Sequence, residues 1–299
     1  MKRADKTLTK LYGDFVAKRS EQGQTSRTGV ERENRRHIAR LAARGVTTNP
    51  ELIAALPELS PKLKDFGIWW LSATNARSAE GVLLRMLHDQ PAFRLSCACA
   101  LASIDGPRSS SVGGSRSVRE FLRIGRAELA SPSPDRKWLE AVIHGLKYGP
   151  TPEAEELLLT IYERTDLPGW LRGDAGDSLG CCPRLNDRRT SFFRRAWMTA
   201  QNGLDDADIE VQFWSMYVIT QLAQNFSSNR NRSNACFAAA LPRLRKIAAT
   251  DHRLAPGYWW PMSAEAEDAI HVVEHGEWGE TDAGDRWLGN KECGPMVRE

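Results

Sequence analysis

The chain has 299 residues, of which 41% are hydrophobic, and a formal net charge of +3. That is enough apolar material for a core, while no apolar run approaches the roughly 20 residues needed to span a bilayer, so a helical membrane-spanning protein is excluded. Six cysteines, Cys97, Cys99, Cys181, Cys182, Cys236 and Cys293, show neither zinc-ribbon nor Cys-x-x-Cys spacing; they read as buried, reduced thiols acting as small apolar residues, not as a disulfide framework.

The opening MKRADKTLTK lacks the apolar stretch of a signal peptide, and a cytoplasmic protein is expected. Residues 1–45 hold twelve Lys or Arg against five Asp or Glu. Leu8, Leu11, Phe15 and Val16 give a weak helical pattern, SEQGQTSRTG is expected to be turn-like or disordered, and a second helix is expected from about Glu31 to Arg44. Two readings of this basic segment stand side by side: an arm for nucleic acid or an acidic protein surface, and a polar capping element of a repeat stack.

Helical patterns then follow one another. Asn49-Pro50 places proline at a helix start, and Asp65 to Thr74 forms an apolar helix carrying Trp69 and Trp70. SAEGVLLRMLHDQPAFRLSCACALASIDG predicts a hairpin, with Ser78 as cap of its first helix and Pro91 opening its second. Residues 106–117, rich in Gly and Ser, predict a surface loop.

The helix expected next carries a face of Val118, Phe121, Leu122 and Leu129. Arg116, Arg119, Arg123 and Arg126 fall on the opposite side. The four guanidiniums form a stripe roughly 15 Å long, and like charges so spaced repel by a few tenths of a kcal/mol per pair. Such a stripe is expected to meet acidic neighbours or an anionic partner.

Trp138, Leu139, Val142, Ile143 and Leu146 mark another helix. Thr151-Pro152 is a strong helix start, and Asp166 with Pro168 begins the return helix that runs into Gly173-Asp174-Ala175-Gly176-Asp177-Ser178-Leu179-Gly180. Asp174 and Asp177 share a face there, with no histidine near them in sequence, and read as a surface pair. Arg184, Arg188, Arg189, Arg194 and Arg195 make a second basic cluster, which joins the Arg116–Arg126 stripe as candidate contacts for an anion or a partner.

Two apolar helices follow, separated by Leu204-Asp205-Asp206-Ala207-Asp208, with Asp208 as N-cap. The second is apolar on most sides, through Ile209, Val211, Trp214, Val218, Ile219 and Leu222, and is expected to lie between neighbours. A last hairpin spans residues 234–275, with Pro242 as a kink or break and Ser263, Glu265 and Glu267 in the first turn of its return helix. Residues 263–299 hold three Lys or Arg against ten Asp or Glu, so the two ends of the chain carry opposite charge. Trp278 and Trp287 are expected to fold the tail onto the last helix.

The acidic turn followed by Glu210-Val211-Gln212 and FWSMYVITQLAQ resembles a short bacterial HEAT-like repeat, with Gln212 where such repeats usually have Arg. The Asp174–Gly180 string resembles the end of a HEAT-like return helix. The resemblance implies an all-α fold, a right-handed α-solenoid of antiparallel HEAT-like helix pairs, and by itself implies no chemistry.

His271-Val272-Val273-Glu274-His275 matches the H-x-x-E-H pattern of inverted zinc peptidases. That resemblance is confined to five residues; the family also needs a distant acidic ligand inside a large α/β domain, so no catalytic residue, metal or cofactor is assigned. The expected organisation is a basic extension or capping helices over 1–45, a HEAT-like solenoid over 46–275 and an acidic tail over 276–299. The expected role is non-enzymatic binding of another protein, with no membrane. The alternative is nucleic-acid binding through the arginine-rich face. One HEAT-like family comprises alkylpurine DNA glycosylases, whose sites combine an acidic residue with aromatics; sequence alone sets no Trp of this chain beside an Asp on one face.

Overall fold

The structure, a computed structural model, describes residues 6–21, 28–105, 115–147, 151–180, 182, 185, 190–227, 234–258, 260–279 and 283. The described residues are helical, without a strand; an isolated antiparallel bridge joins Leu254 and Pro261. None of their helices is long and apolar enough to cross a membrane. The helices divide into two compact units, the boundary falling in the first turn of the seventh helix.

The first unit contains α1 (Leu8–Glu21), α2 (Thr28–Ala42), α3 (Asn49–Ala55), α4 (Pro61–Ala73), α5 (Glu80–Asp89) and α6 (Arg94–Asp105). α3 begins on a capping box: the Thr48 hydroxyl accepts from Glu51 N–H at 3.4 Å, and the Glu51 carboxylate accepts from Thr48 N–H at 3.0 Å. Two free donors of the first turn are thereby satisfied. The Asn49-Pro50 start is therefore right, with Thr48 as the cap.

Ser78 does not cap α5. It lies in a 3-10 turn, Arg77–Ala79, that leads into the helix, and the Glu80 N–H that its hydroxyl could cap is taken by the Arg77 C=O. α4 is the centre of the unit. It packs on α2 and α6, and its Phe66, Trp69 and Trp70 form one aromatic cluster with Tyr12 and Phe15 of α1 and His37 of α2. The basic first segment thus docks through buried apolar residues, Leu8, Tyr12, Ile38 and Leu41. SEQGQTSRTG falls for the most part outside the described residues, as do most of the 106–117 loop and the tail from 284.

Of the cysteines read as buried, Cys97 and Cys182 are, but Cys99 is exposed. Two residues further along a helix turns by about 200°, which carries Cys99 to the opposite side of α6 from Cys97. Burial pushes the Cys97 thiol up to about 12, which withholds the reactive thiolate. Iodoacetamide at about pH 8 is therefore expected to alkylate Cys99 while Cys97 stays protected until the chain unfolds. Mass-spectrometric mapping checks this; equal labelling of both in the folded protein would contradict the packing of α6.

The second unit contains α7 (Arg116–Ala130), α8 (Arg136–Gly145), α9 (Pro152–Glu163), α10 (Gly169–Gly180), α11 (Ser191–Gly203), α12 (Ile209–Ser227), α13 (Leu241–Thr250) and α14 (Met262–His275). α8, α10, α12 and α14 each pack on the next, while α9 packs on α10, α11 on α12 and α13 on α14. α7 buries the predicted apolar residues Val118, Phe121 and Leu122, and Ile124 with them, while Leu129 of the predicted face is only half-buried. Its Phe121 ring occupies the space a side chain at Gly145 of α8 would need.

Thr151 caps α9 through Ala154 N–H at 3.2 Å, and Asp208 caps α12 through Glu210 N–H at 2.9 Å. α12 buries Val211, Phe213, Met216, Val218, Ile219 and Leu222, as expected for a helix enclosed by neighbours. The Pro242 break is a 3-10 stretch, Asn234–Ala240, ahead of α13.

Polar contacts tie the turns of this unit together. Arg172 of α10 pairs with Asp206 at 2.8 Å. Gln212 holds the same turn through the Asp206 carbonyl at 2.6 Å and accepts from Arg253 at 2.8 Å. Arg253 in turn pairs with Asp251 at 2.6 Å.

Candidate binding site

The predicted arginines among the described residues reach the surface, and the structure distributes them. Arg116, Arg119, Arg123 and Arg126 are all exposed on α7. Arg123 is engaged within its own helix by Glu120, at 3.0 and 2.7 Å, and that carboxylate raises its pKa above the ordinary arginine value.

Arg195 of α11 reaches across to α9, where Glu163 takes it at 3.0 and 2.7 Å and Glu156 at 2.8 Å. Arg194 is exposed; Arg184, Arg188 and Arg189 lie outside the described residues. Arg126 and Arg164 share an open groove of about 920 Å³ with Glu153 and Glu156. The surface next to Arg126 is therefore of mixed charge.

The H-x-x-E-H string is engaged elsewhere. Glu274 is held by Arg245 at 2.7 Å, and the His271 and His275 rings stack with centroids 4.4 Å apart. Among the described residues no three His, Cys, Asp or Glu side chains gather as a metal site.

A different constellation forms along α10, α12 and α14, which sequence reasoning did not assemble. It starts from glycine. Gly173, Gly176 and Gly180 recur along α10, and α12 lays Trp214 and Tyr217 over them. A Cβ at Gly173 would meet Trp214 at 2.6 Å, one at Gly176 would meet it at 3.3 Å, and one at Gly180 would collide with Tyr217. The bare backbone lets these rings lie close to α10.

From α12 the aromatic surface continues. Phe213 contacts Trp214 at 4.9 Å and Tyr258 at 5.1 Å between centroids, and Tyr258 contacts Trp260 at 4.3 Å. Trp278 and Ala283 complete the wall of a pocket of about 270 Å³.

Three carboxylates enter this pocket: Asp177 from α10, and Glu265 and Asp268 from α14. Each is oriented by a partner. Lys147 holds Asp177 at 2.5 Å, the Trp260 indole N–H donates to Glu265 at 3.0 Å, and the Ala283 N–H donates to Asp268 at 2.6 Å. Glu265 and Asp268 are only 8% and 6% exposed, a burial that would be costly for carboxylates without such donors.

One turn before Asp177, Asp174 stands 3.7 Å from His144 of α8. The sequence showed no histidine near Asp174; the packing of α8 on α10 brings it there. Among the described residues that line the pocket there is no lysine, arginine or histidine. It offers aromatic faces, whose quadrupoles attract cations, together with fixed negative charge.

The signal that could have pointed to it was spacing. Asp174 and Asp177, Trp214 and Tyr217, and Glu265 and Asp268 are each three residues apart, so each pair shares one helix face, and the three helices are neighbours in one row. Comparison with known proteins returns no match, whether to a family model, a curated protein or a solved structure.

Proposed function

We propose that the chain is a non-enzymatic scaffold that binds another protein in the cytoplasm, built as a right-handed HEAT-like solenoid of antiparallel helix pairs. Its recognition point is the pocket between α10, α12 and α14. The observation that carries the reading is the aromatic wall with three oriented carboxylates. Aromatic anchors in desolvated pockets dominate protein interfaces, and stacked helical repeats offer extended binding surfaces.

A second reading, nucleic-acid binding, rests on the exposed stripe of Arg116, Arg119, Arg123 and Arg126. The aromatics beside Asp177 and Asp268 also have the composition that a likeness to HEAT-like DNA glycosylases implies. Three carboxylates at the pocket disfavour a polyanion, and Glu120 already offsets part of the stripe, so protein binding is preferred.

One experiment separates the two. A photo-crosslinking amino acid at Tyr217 is expected to give a discrete adduct in cells, removed by protease and resistant to nuclease. The same substitution at exposed Met198 of α11 is expected to give none. A nuclease-sensitive adduct would replace the protein reading by the nucleic-acid one; no adduct from either site would remove the pocket as a recognition point.

A further inference from the structure

We infer that the first unit carries a sequence-independent contact for the phosphate backbone of duplex nucleic acid, formed by the exposed arginines of α2. This contact is separate from the pocket of the second unit and does not depend on it.

At about 100° per residue, Arg32, Arg36 and Arg40 fall within an arc of about 80° on α2, and all three are exposed. Arg44, also exposed, follows in the turn after the helix, beside Gly45 with its left-handed φ of 76°. From Arg32 to Arg44 the row is roughly 18 Å long. The other side of α2 is fixed: Ile38 and Leu41 are buried, the helix packs on α4, and the His37 ring lies 5.0 Å from that of Phe66. A docked helix therefore presents the row.

The two carboxylates of α2 face other groups. Glu31 takes Arg35 at 3.0 and 2.6 Å, and Glu33 stands 3.9 Å from His37. Among the described residues no hydrogen bond or ion pair engages Arg32, Arg36, Arg40 or Arg44. The α7 stripe differs, because Glu120 holds Arg123. Like charges one turn apart repel, and an anion that meets several guanidiniums at once relieves that repulsion.

The chemistry of this anion follows from the composition of the face. Protein interfaces centre on aromatic or apolar anchors in desolvated pockets. Of the large apolar residues of α2 only Val30 is exposed, and the helix contains no Phe, Tyr or Trp. Binding to a membrane surface needs an apolar face as well, and single strands are held by stacking on aromatic rings. A duplex backbone needs none of these. Its phosphates take guanidiniums in bidentate pairs, and the counterions they release drive binding.

The test titrates the full chain with a labelled random-sequence DNA duplex, an RNA duplex and a single strand of equal length, and polyglutamate. Duplex binding is expected at micromolar concentration in about 50 mM salt and to weaken on the order of 100-fold by about 200 mM, a log–log slope near −3.6 for four phosphate contacts. Arg32→Gln combined with Arg36→Gln and Arg40→Gln is expected to weaken binding at least about tenfold and to flatten the slope by about 2.7. The same charge change at Lys62, Arg77 and Arg85, exposed cations of this unit outside α2, is expected to cost less than about threefold and to leave the slope unchanged. Arg44→Gln alone lies beyond the helix and is expected to flatten the slope by about 0.9, a reading that survives if the triple variant fails to fold.

α2-dependent binding of either duplex bears the inference out, and the tighter of the two names the source of the phosphates. No saturable duplex binding at low salt, an equal loss in the Lys62, Arg77 and Arg85 variant, or tighter binding of the single strand or of polyglutamate would each overturn it. The crosslink at Tyr217 reads the second unit alone, so failure here leaves the protein-binding reading where it stands.

Discussion

Replacing Trp70 by alanine is expected to remove about 3–5 kcal/mol of stability from the first unit, the usual cost of truncating a fully buried large aromatic. Trp70 is completely buried. Its rings lie 5.9 Å from Tyr12, 6.4 Å from Phe15 and 6.3 Å from Phe66, so α1 loses part of the wall it rests on. The indole N–H donates to Asn49 Oδ1 at 3.0 Å, and Asn49 in turn donates to Thr74 at 3.3 Å. Alanine therefore leaves a cavity and strands the acceptor that joins α3 to α4, and losing this part-buried hydrogen bond adds a smaller cost of its own.

Natural domains are stable by only about 5–15 kcal/mol, so the loss is a large fraction of the total. Two compact units need not unfold together, and amide hydrogen exchange resolves them better than a single melting curve. Exchange is expected to accelerate in α1, α3 and α4, with α10 and α12 unchanged. A loss below about 1.5 kcal/mol would show that α1 does not depend on this cluster.

The sequence was informative wherever the physics was local. The apolar side of α7, the Thr151 cap and the Asp208 cap each depend on residues within one or two turns, and periodicity or side-chain chemistry reports those directly. The departures were also local in origin: Ser78 looked like a cap, but a 3-10 turn gives the Glu80 N–H to the Arg77 C=O.

What the sequence could not show was convergence. Asp174 gained His144, Asp177 gained Lys147, and Arg195 gained Glu156 and Glu163, all from other segments of the chain. Such partners depend on which helix lies beside which, information absent from any one segment. The pocket is the extreme case: its aromatics and carboxylates come from α10, α12, α14 and the residues flanking α14. Gly173, Gly176 and Gly180 could be read in sequence only as helix-weakening residues, whereas their use is to admit Trp214 and Tyr217.

Arg172 should prove the most sensitive charged residue of the second unit. Its side chain is 10% exposed and that of its partner Asp206 is 20% exposed, and it also donates to the Tyr162 carbonyl at 3.4 Å. Removing one member of a buried pair leaves the other charge uncompensated, which costs about 3–5 kcal/mol, more than the pair itself contributes. Arg172→Met keeps most of the apolar stem and is expected to lose that amount in urea denaturation.

Asp206 also accepts from the Asp208 N–H at 3.0 Å, and asparagine keeps that acceptor without the charge. Asp206→Asn introduced into Arg172→Met is therefore expected to recover stability, and the double-mutant cycle to show a coupling above about 1 kcal/mol, as directly contacting residues do. The Gln212 contact to the Asp206 carbonyl is a backbone contact that neither substitution removes, so the cycle isolates the ion pair. A single Arg172→Met variant that loses under about 1 kcal/mol, or additive changes in the double variant, would mean that water screens this pair despite its burial.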